Sequence, residues 1–138
     1  MKRVLIIYSR EGRAEDVARG IKKGAEEMGH RAEIMPASEK GEEISFHPYD
    51  LVIVGSPKKG LIRGSPASDI APTLSRCKRT VGQDCYAYIT PSIIGSTKAL
   101  RELMEEMEKL GCVVRDFATL KKESDGIEFA RDRIGDSL

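Results

Sequence analysis

Apolar and polar positions follow two different periods along this chain, and each change of period marks an element. Val4-Leu5-Ile6-Ile7-Tyr8 is an unbroken apolar run, the pattern of a parallel strand buried on both faces. Beyond a polar stretch, Ala14, Val17, Ala18, Ile21, Ala25 and Met28 recur at helical spacing, and Gly29 stands where the helix should stop. Arg31 to Met35 alternates more weakly, as suits an edge strand. From Pro36 to Pro48 the chain is polar and has no apolar period, which predicts a loop where a second helix would otherwise lie. Leu51 to Val54 is the next strand and runs into Gly55-Ser56-Pro57. Ser68 to Leu74 predicts a short helix that Pro72 makes late or broken. Cys85 to Thr90 is a fourth strand. Ala99, Leu100, Leu103, Met104, Met107 and Leu110 then form the clearest helical stripe, with Ser96 or Thr97 placed to cap it and Gly111 to end it. Cys112 to Phe117 is a fifth strand, and Ile127, Ala130 and Ile134 mark a last short helix before Gly135.

A strand, a polar glycine-bearing loop and usually a helix thus recur, at Val4 to Ala14, Leu51 to Ser68 and Tyr86 to Lys98. This βαβ rhythm predicts an α/β fold of three layers: a five-stranded parallel sheet in the order 2-1-3-4-5 between helices, in one domain spanning residues 1–138. Such sheets bind ligands beyond the carboxyl ends of their strands, so these three loops are the candidate active face.

Composition narrows the function classes. With 138 residues, 40% hydrophobic content and 33% charge, the chain builds one core of ordinary size. Its 23 basic and 22 acidic side chains leave a formal net charge of +1, which calls for neither a nucleic acid nor a membrane partner. The apolar stretch after Met1-Lys2-Arg3 is too short for a signal peptide, and a cytoplasmic protein is expected. Cys77, Cys85 and Cys112 form an odd set without a Cys-x-x-Cys spacing, so free thiols are expected rather than a zinc site. The chain has no Asn and a single Gln, a thermophile-like balance.

Residue tests then separate the doubly wound families. A phosphate-accepting receiver domain needs a carboxylate at the end of its third strand, where this chain has Val54-Gly55-Ser56. A low-molecular-weight tyrosine phosphatase needs a cysteine in its first loop, and none lies between Tyr8 and Ala14. The Gly-x-Gly-x-x-Gly fingerprint of a dinucleotide fold is also missing. What remains is a resemblance along nearly the whole chain to the flavodoxin-like family. It rests on Val4-Leu5-Ile6-Ile7-Tyr8-Ser9 leading into Gly12, on Tyr49-Asp50-Leu51-Val52-Ile53-Val54-Gly55-Ser56-Pro57, and on the pattern from Thr90 through Gly95 and Ser96 to Leu110-Gly111.

The resemblance implies FMN as cofactor, with its phosphate in the loop Ser9, Arg10, Glu11, Gly12, Arg13 and Ala14. The ring would lie between Ser56, Pro57, Lys58, Lys59 and Gly60 on one side and Thr90, Pro91, Ser92 and Gly95 on the other. It implies electron transfer with a protein redox partner, the chemistry being the cofactor's; no side chain is expected to act as catalytic acid, base or nucleophile, and no metal is expected. The first loop departs from the family pattern of hydroxyl residues, since only Ser9 and Gly12 conform. Glu11 must therefore point outward or pair with Arg10 or Arg13. Neither ring loop carries an aromatic side chain, leaving Leu61, Ile62, Ile93 and Ile94 as apolar contacts. Lys58, Lys59 and Arg63 join Arg10 and Arg13 on one face, which would suit an anionic ligand or an acidic partner. Two other readings stay open: a flavin-free partner-binding or regulatory module on the same fold, and an FMN-dependent quinone reductase.

Overall fold

The computed structural model describes residues 1–60, 64–92 and 94–136. Its long strands are β1 (Arg3–Tyr8), β2 (Arg31–Pro36), β4 (Leu51–Pro57), β6 (Asp84–Thr90) and β7 (Val113–Thr119). They lie parallel in the order β2-β1-β4-β6-β7. Two short strands, β3 (Ile44–Ser45) and β5 (Cys77–Lys78), pair apart from this sheet. Leaving them out of the count, the order is the predicted 2-1-3-4-5.

Strand alternation sorts the core into two halves. Leu5, Ile7, Val52, Val54, Cys85, Ala87 and Ile89 face α2 (Ile70–Ser75) and α3 (Ser96–Lys109), meeting Ile70, Leu74, Ala99, Leu103 and Met107. Val4, Ile6, Tyr8, Leu51, Ile53, Tyr86 and Tyr88 face the other way. There they meet α1 (Ala14–Glu27), α4 (Glu123–Phe129) and the single π-helical turn Ala130–Ile134. Of the predicted stripe, Ala14, Val17, Ala18, Ile21 and Ala25 are fully buried on α1, while Met28 is the C-cap and only partly buried. Among the described residues no helix is long and apolar enough to cross a membrane.

Pro72 stands at the third position of α2, within the first turn, where its missing N–H would have had no helical partner in any case. The polar segment before Pro48 forms no helix, yet it is firmly held. Arg76 donates from Nη1 to the carbonyls of Ser38 at 2.9 Å and Pro72 at 3.2 Å, and from Nη2 to Ser38 Oγ at 3.0 Å. The pairing of β3 with β5 anchors the rest of it. At α3 the structure corrects the expected cap: the N-cap is Gly95, with φ of 85°, and no side chain caps the helix. Ser96 is already helical, and its Oγ accepts the N–H of Ser92 at 3.1 Å. The carbonyl of Gly95 lies hard against Gly64, where a Cβ would stand only 1.7 Å from that oxygen. His30 is buried and structural: its Nδ1 accepts the N–H of Lys2 at 3.0 Å, and its Nε2 donates to the carbonyl of Gly135 at 2.7 Å.

Close packing of α1 on α4 is a feature that the periodicity does not reveal. A Cβ on Gly20 would stand 2.0 Å from the carbonyl oxygen of Glu123, one on Gly24 would stand 2.6 Å from that of Ile127, and one on Gly126 would stand 2.4 Å from that of Val17. Three glycines therefore let two helix backbones touch. Gly20→Ala should gain up to about 1 kcal/mol in intrinsic helix propensity and lose about 1–3 kcal/mol to overpacking, for a net loss. A urea titration should show a lower midpoint at unchanged slope; an equal or higher midpoint would mean that the helices part without cost.

Candidate functional site

The carboxyl ends of β1, β4, β6 and β7 meet at one edge of the molecule, and the loop geometry there begins with Gly55. This residue pairs with Tyr8 of β1 on one side and Tyr88 of β6 on the other. A Cβ on Gly55 would lie within 1.8 Å of Cζ of Tyr88, so the ring occupies the space that any other residue would fill. Tyr88 is fully buried, and its hydroxyl donates to the carbonyl of Ala14 at 2.7 Å. The start of α1 is thereby fastened to β6 beneath β4. Gly55 also accepts the N–H of Ser9 at 2.9 Å.

The first loop is held from within. Ser9 is fully buried, and its Oγ accepts the N–H of Glu11 at 3.1 Å. The N–H of Arg10 donates to Oδ2 of Asp69 at 2.9 Å, while its Nε donates to the carbonyl of Ala37 at 2.9 Å. The Arg10 side chain thus turns toward β2. Glu11 pairs with neither arginine: Lys59 Nζ approaches its Oε1 at 2.9 Å. Arg13 lies 3.6 Å from Asp16, both exposed. Gly12 has φ of 61°, and a Cβ there would stand 2.9 Å from Cβ of Pro57. The N–H groups of Gly12 and Arg13 meet no acceptor among the described residues.

The loop after β4 folds back on itself through reciprocal bonds between Lys59 and Ser65, at 2.8 and 3.1 Å. Buried Ser56 closes its base, the Oγ accepting the N–H of Ala67 at 2.7 Å and donating to the carbonyl of Pro57 at 2.8 Å. The N–H of Lys58 donates to the carbonyl of Thr90 at 3.1 Å, joining this loop to the one after β6. Gly60 is left-handed at φ of 91°. Leu61, Ile62, Arg63 and Ile93, named as ring or charge contacts from the sequence, lie outside the described residues.

Between these loops is a cleft of about 280 Å³ lined by Gly12, Arg13, Pro57, Lys58, Thr90, Pro91 and Lys121. Six of these are residues singled out from the sequence. Lys121 was missed, because it follows β7, whose loop carries no glycine signal. Ser92 and Gly95 line a neighbouring hollow with Ile94 and Arg101, which shares Pro91 with the cleft. Of the five cations expected on one face, Arg10 engages the Ala37 carbonyl through Nε and Lys59 is paired with Glu11, while Arg63 lies outside the described residues. Arg13, Lys58 and Lys121 are the cations that line the cleft, and no carboxylate lines it among the described residues.

Two buried charges frame the loops. Lys58 is only 8% exposed and has no carboxylate partner among the described residues. Asp69 is equally buried; its Oδ2 accepts the N–H of Arg10, and its Oδ1 meets no donor among the described residues. The cysteines, all free and buried, lie at the opposite ends of the strands, and burial pushes the Cys77 thiol up to about 12. Thiol chemistry is absent from the cleft.

Burial, and secondarily the charge of Tyr8, raises the Tyr88 hydroxyl well above its ordinary value. Its neutral form therefore stabilises the fold fully below about pH 10, the unfolded value. That contribution is lost as pH rises toward the folded value, at roughly 1.4 kcal/mol per pH unit. Tyr88→Phe should cost about 1 kcal/mol near neutral pH through the missing hydrogen bond. The deficit should vanish and then reverse above about pH 10. Urea titrations at a series of pH values check this, and a deficit independent of pH would show that the hydroxyl does not matter to the alkaline limit.

Set beside known proteins, the chain matches no family model and no curated sequence. Solved structures do match. Oxidised flavodoxin 1 from Bacillus cereus is 17% identical with a TM-score of 0.73, over 96% of this chain and 97% of that one. Two-electron reduced flavodoxin from Megasphaera elsdenii is 18% identical with a TM-score of 0.70, over 92% and 96%. FerB, a flavoenzyme NAD(P)H:(acceptor) oxidoreductase from Paracoccus denitrificans, is 14% identical with a TM-score of 0.61, over 83% and 75%. The strand order, the two helical layers and these likenesses give one conclusion: the chain has a flavodoxin-like fold.

Proposed function

We propose that this protein binds FMN at the carboxyl end of its sheet and carries electrons between a reductase and an acceptor. The observation that carries this reading is the cleft, to which the first loop presents Gly12 and Arg13, with N–H groups that meet no acceptor among the described residues, and which no carboxylate lines among those residues. Backbone N–H groups at a helix start suit a phosphate, and α1 is long enough to contribute its dipole. Glu11, the residue least compatible with a phosphate, is drawn away by Lys59. Gly12 and Arg13 therefore fit the anionic end of FMN. Bound flavin would supply the electron chemistry; the chain's own task is to hold and orient it. The structural likeness to flavodoxins and to a flavoenzyme supports the same reading.

One observation favours a flavin-free, partner-binding role instead. Asp69 already occupies the N–H of Arg10 and places a carboxylate beside the loop, where it repels a phosphate. Titration with FMN separates the two. Quenched flavin fluorescence and a yellow protein are expected, and Gly12→Val should weaken FMN affinity at least tenfold, since the left-handed turn and the contact with Pro57 exclude a side chain. Protein that stays colourless at high micromolar FMN would leave the partner-binding role.

A further inference from the structure

Among the cations at the carboxyl edge, Lys58 differs from the rest. Lys59 is half exposed and paired with Glu11, and Arg13 is exposed beside Asp16. Lys58 is 8% exposed, lines the cleft, and meets no carboxylate among the described residues. Its backbone is pinned by the bond to Thr90, and its stem crosses Gly95, where a Cβ would stand 3.1 Å from Lys58 Cε. An ammonium withdrawn from water without a counter-charge is costly unless a ligand supplies one.

Resting on the FMN reading, we propose that Lys58 makes this cleft selective for the redox state of its ligand, binding reduced flavin more tightly than oxidised flavin. The phosphate is served by the N–H groups of the first loop and by Arg13. Lys58 instead stands on the pair of loops, after β4 and β6, that the ring would lie between. Oxidised flavin has a neutral ring; uptake of two electrons from a reductant and one proton from water leaves it with one negative charge. A fixed cation nearby stabilises that charge, and the effect grows as water is excluded. Arg13 and Lys121, both exposed, contribute less because solvent screens them.

The test uses the full chain with Lys58→Met, which keeps the stem, and Lys58→Arg, which keeps the charge. Dissociation constants are measured for oxidised FMN, for FMN reduced anaerobically with dithionite, and for inorganic phosphate by competition. Lys58→Met should weaken reduced FMN at least tenfold more than oxidised FMN, which is a fall of about 30 mV in the bound two-electron potential. Lys58→Arg should stay within about threefold of the unaltered protein on the ratio of the two constants. Inorganic phosphate should bind alike in all three, and thermal melts should show Lys58→Met at least as stable as the parent. Equal losses for both redox states, or a parallel loss of phosphate affinity, would place Lys58 at the phosphate end and overturn the proposal while leaving FMN binding intact. If neither redox state binds the unaltered protein, the FMN reading itself falls, and this proposal with it.

Discussion

The contact on which the carboxyl edge depends is the one between Gly55 and Tyr88. With only hydrogen at Gly55, the Tyr88 ring can lie flat across β4, and its hydroxyl can reach the first carbonyl of α1. A side chain at position 55 would push the ring aside and unfasten the helix start. Because Ser9 also donates to Gly55, the first loop takes its position from that same residue twice, once through the backbone and once through the ring. Gly12 then continues the turn against Pro57, two residues farther along the same strand end. The site is thus built by one strand terminus acting on the loop beside it, with no long-range hinge.

Charge is distributed unevenly over a nearly neutral chain. Exposed carboxylates and cations pair locally on the helices, as Arg19 does with Glu15 and Lys22 with Glu26, and each such pair contributes little to stability. At the carboxyl edge the pairing is selective. Glu11 is cancelled by Lys59, which leaves the cleft lined by Arg13, Lys58 and Lys121 with no acid among them. Asp69 stands behind the loop and is tied to Arg10.

The helical layer over α1 is held by a different principle. Gly20, Gly24 and Gly126 bring α1 and α4 to backbone contact, so dispersion between main chains replaces interdigitated side chains. The edge contact of Tyr86 with Phe129, at 5.8 Å between centroids, and the His30 bonds to Lys2 and Gly135 extend that layer to the last turn. Phe129, Ala130 and Ile134 of α4 and its π-helical turn are buried in the same layer.

The five long strands, the main helices, the parallel sheet and its order were legible in the sequence because they follow from the period of apolar residues, which each segment carries by itself, whereas the short strands β3 and β5 were not. The unbroken run at Val4 to Tyr8 and the stripe from Ala99 to Met107 needed no partner to be read. The three loops of the candidate face were legible for the same reason, since they lie where runs end. What the sequence alone could not decide was the direction of each polar side chain within them. Glu11 found Lys59 rather than a neighbouring arginine, Arg10 turned to Ala37, Gly95 displaced Ser96 as the helix cap, and Lys121 entered the cleft from a loop without a marker. Each outcome depends on a group distant along the chain but close in space. Periodicity reports only the environment of an element's face, whereas the partner of a charge or hydroxyl is set by which strand ends the sheet brings together.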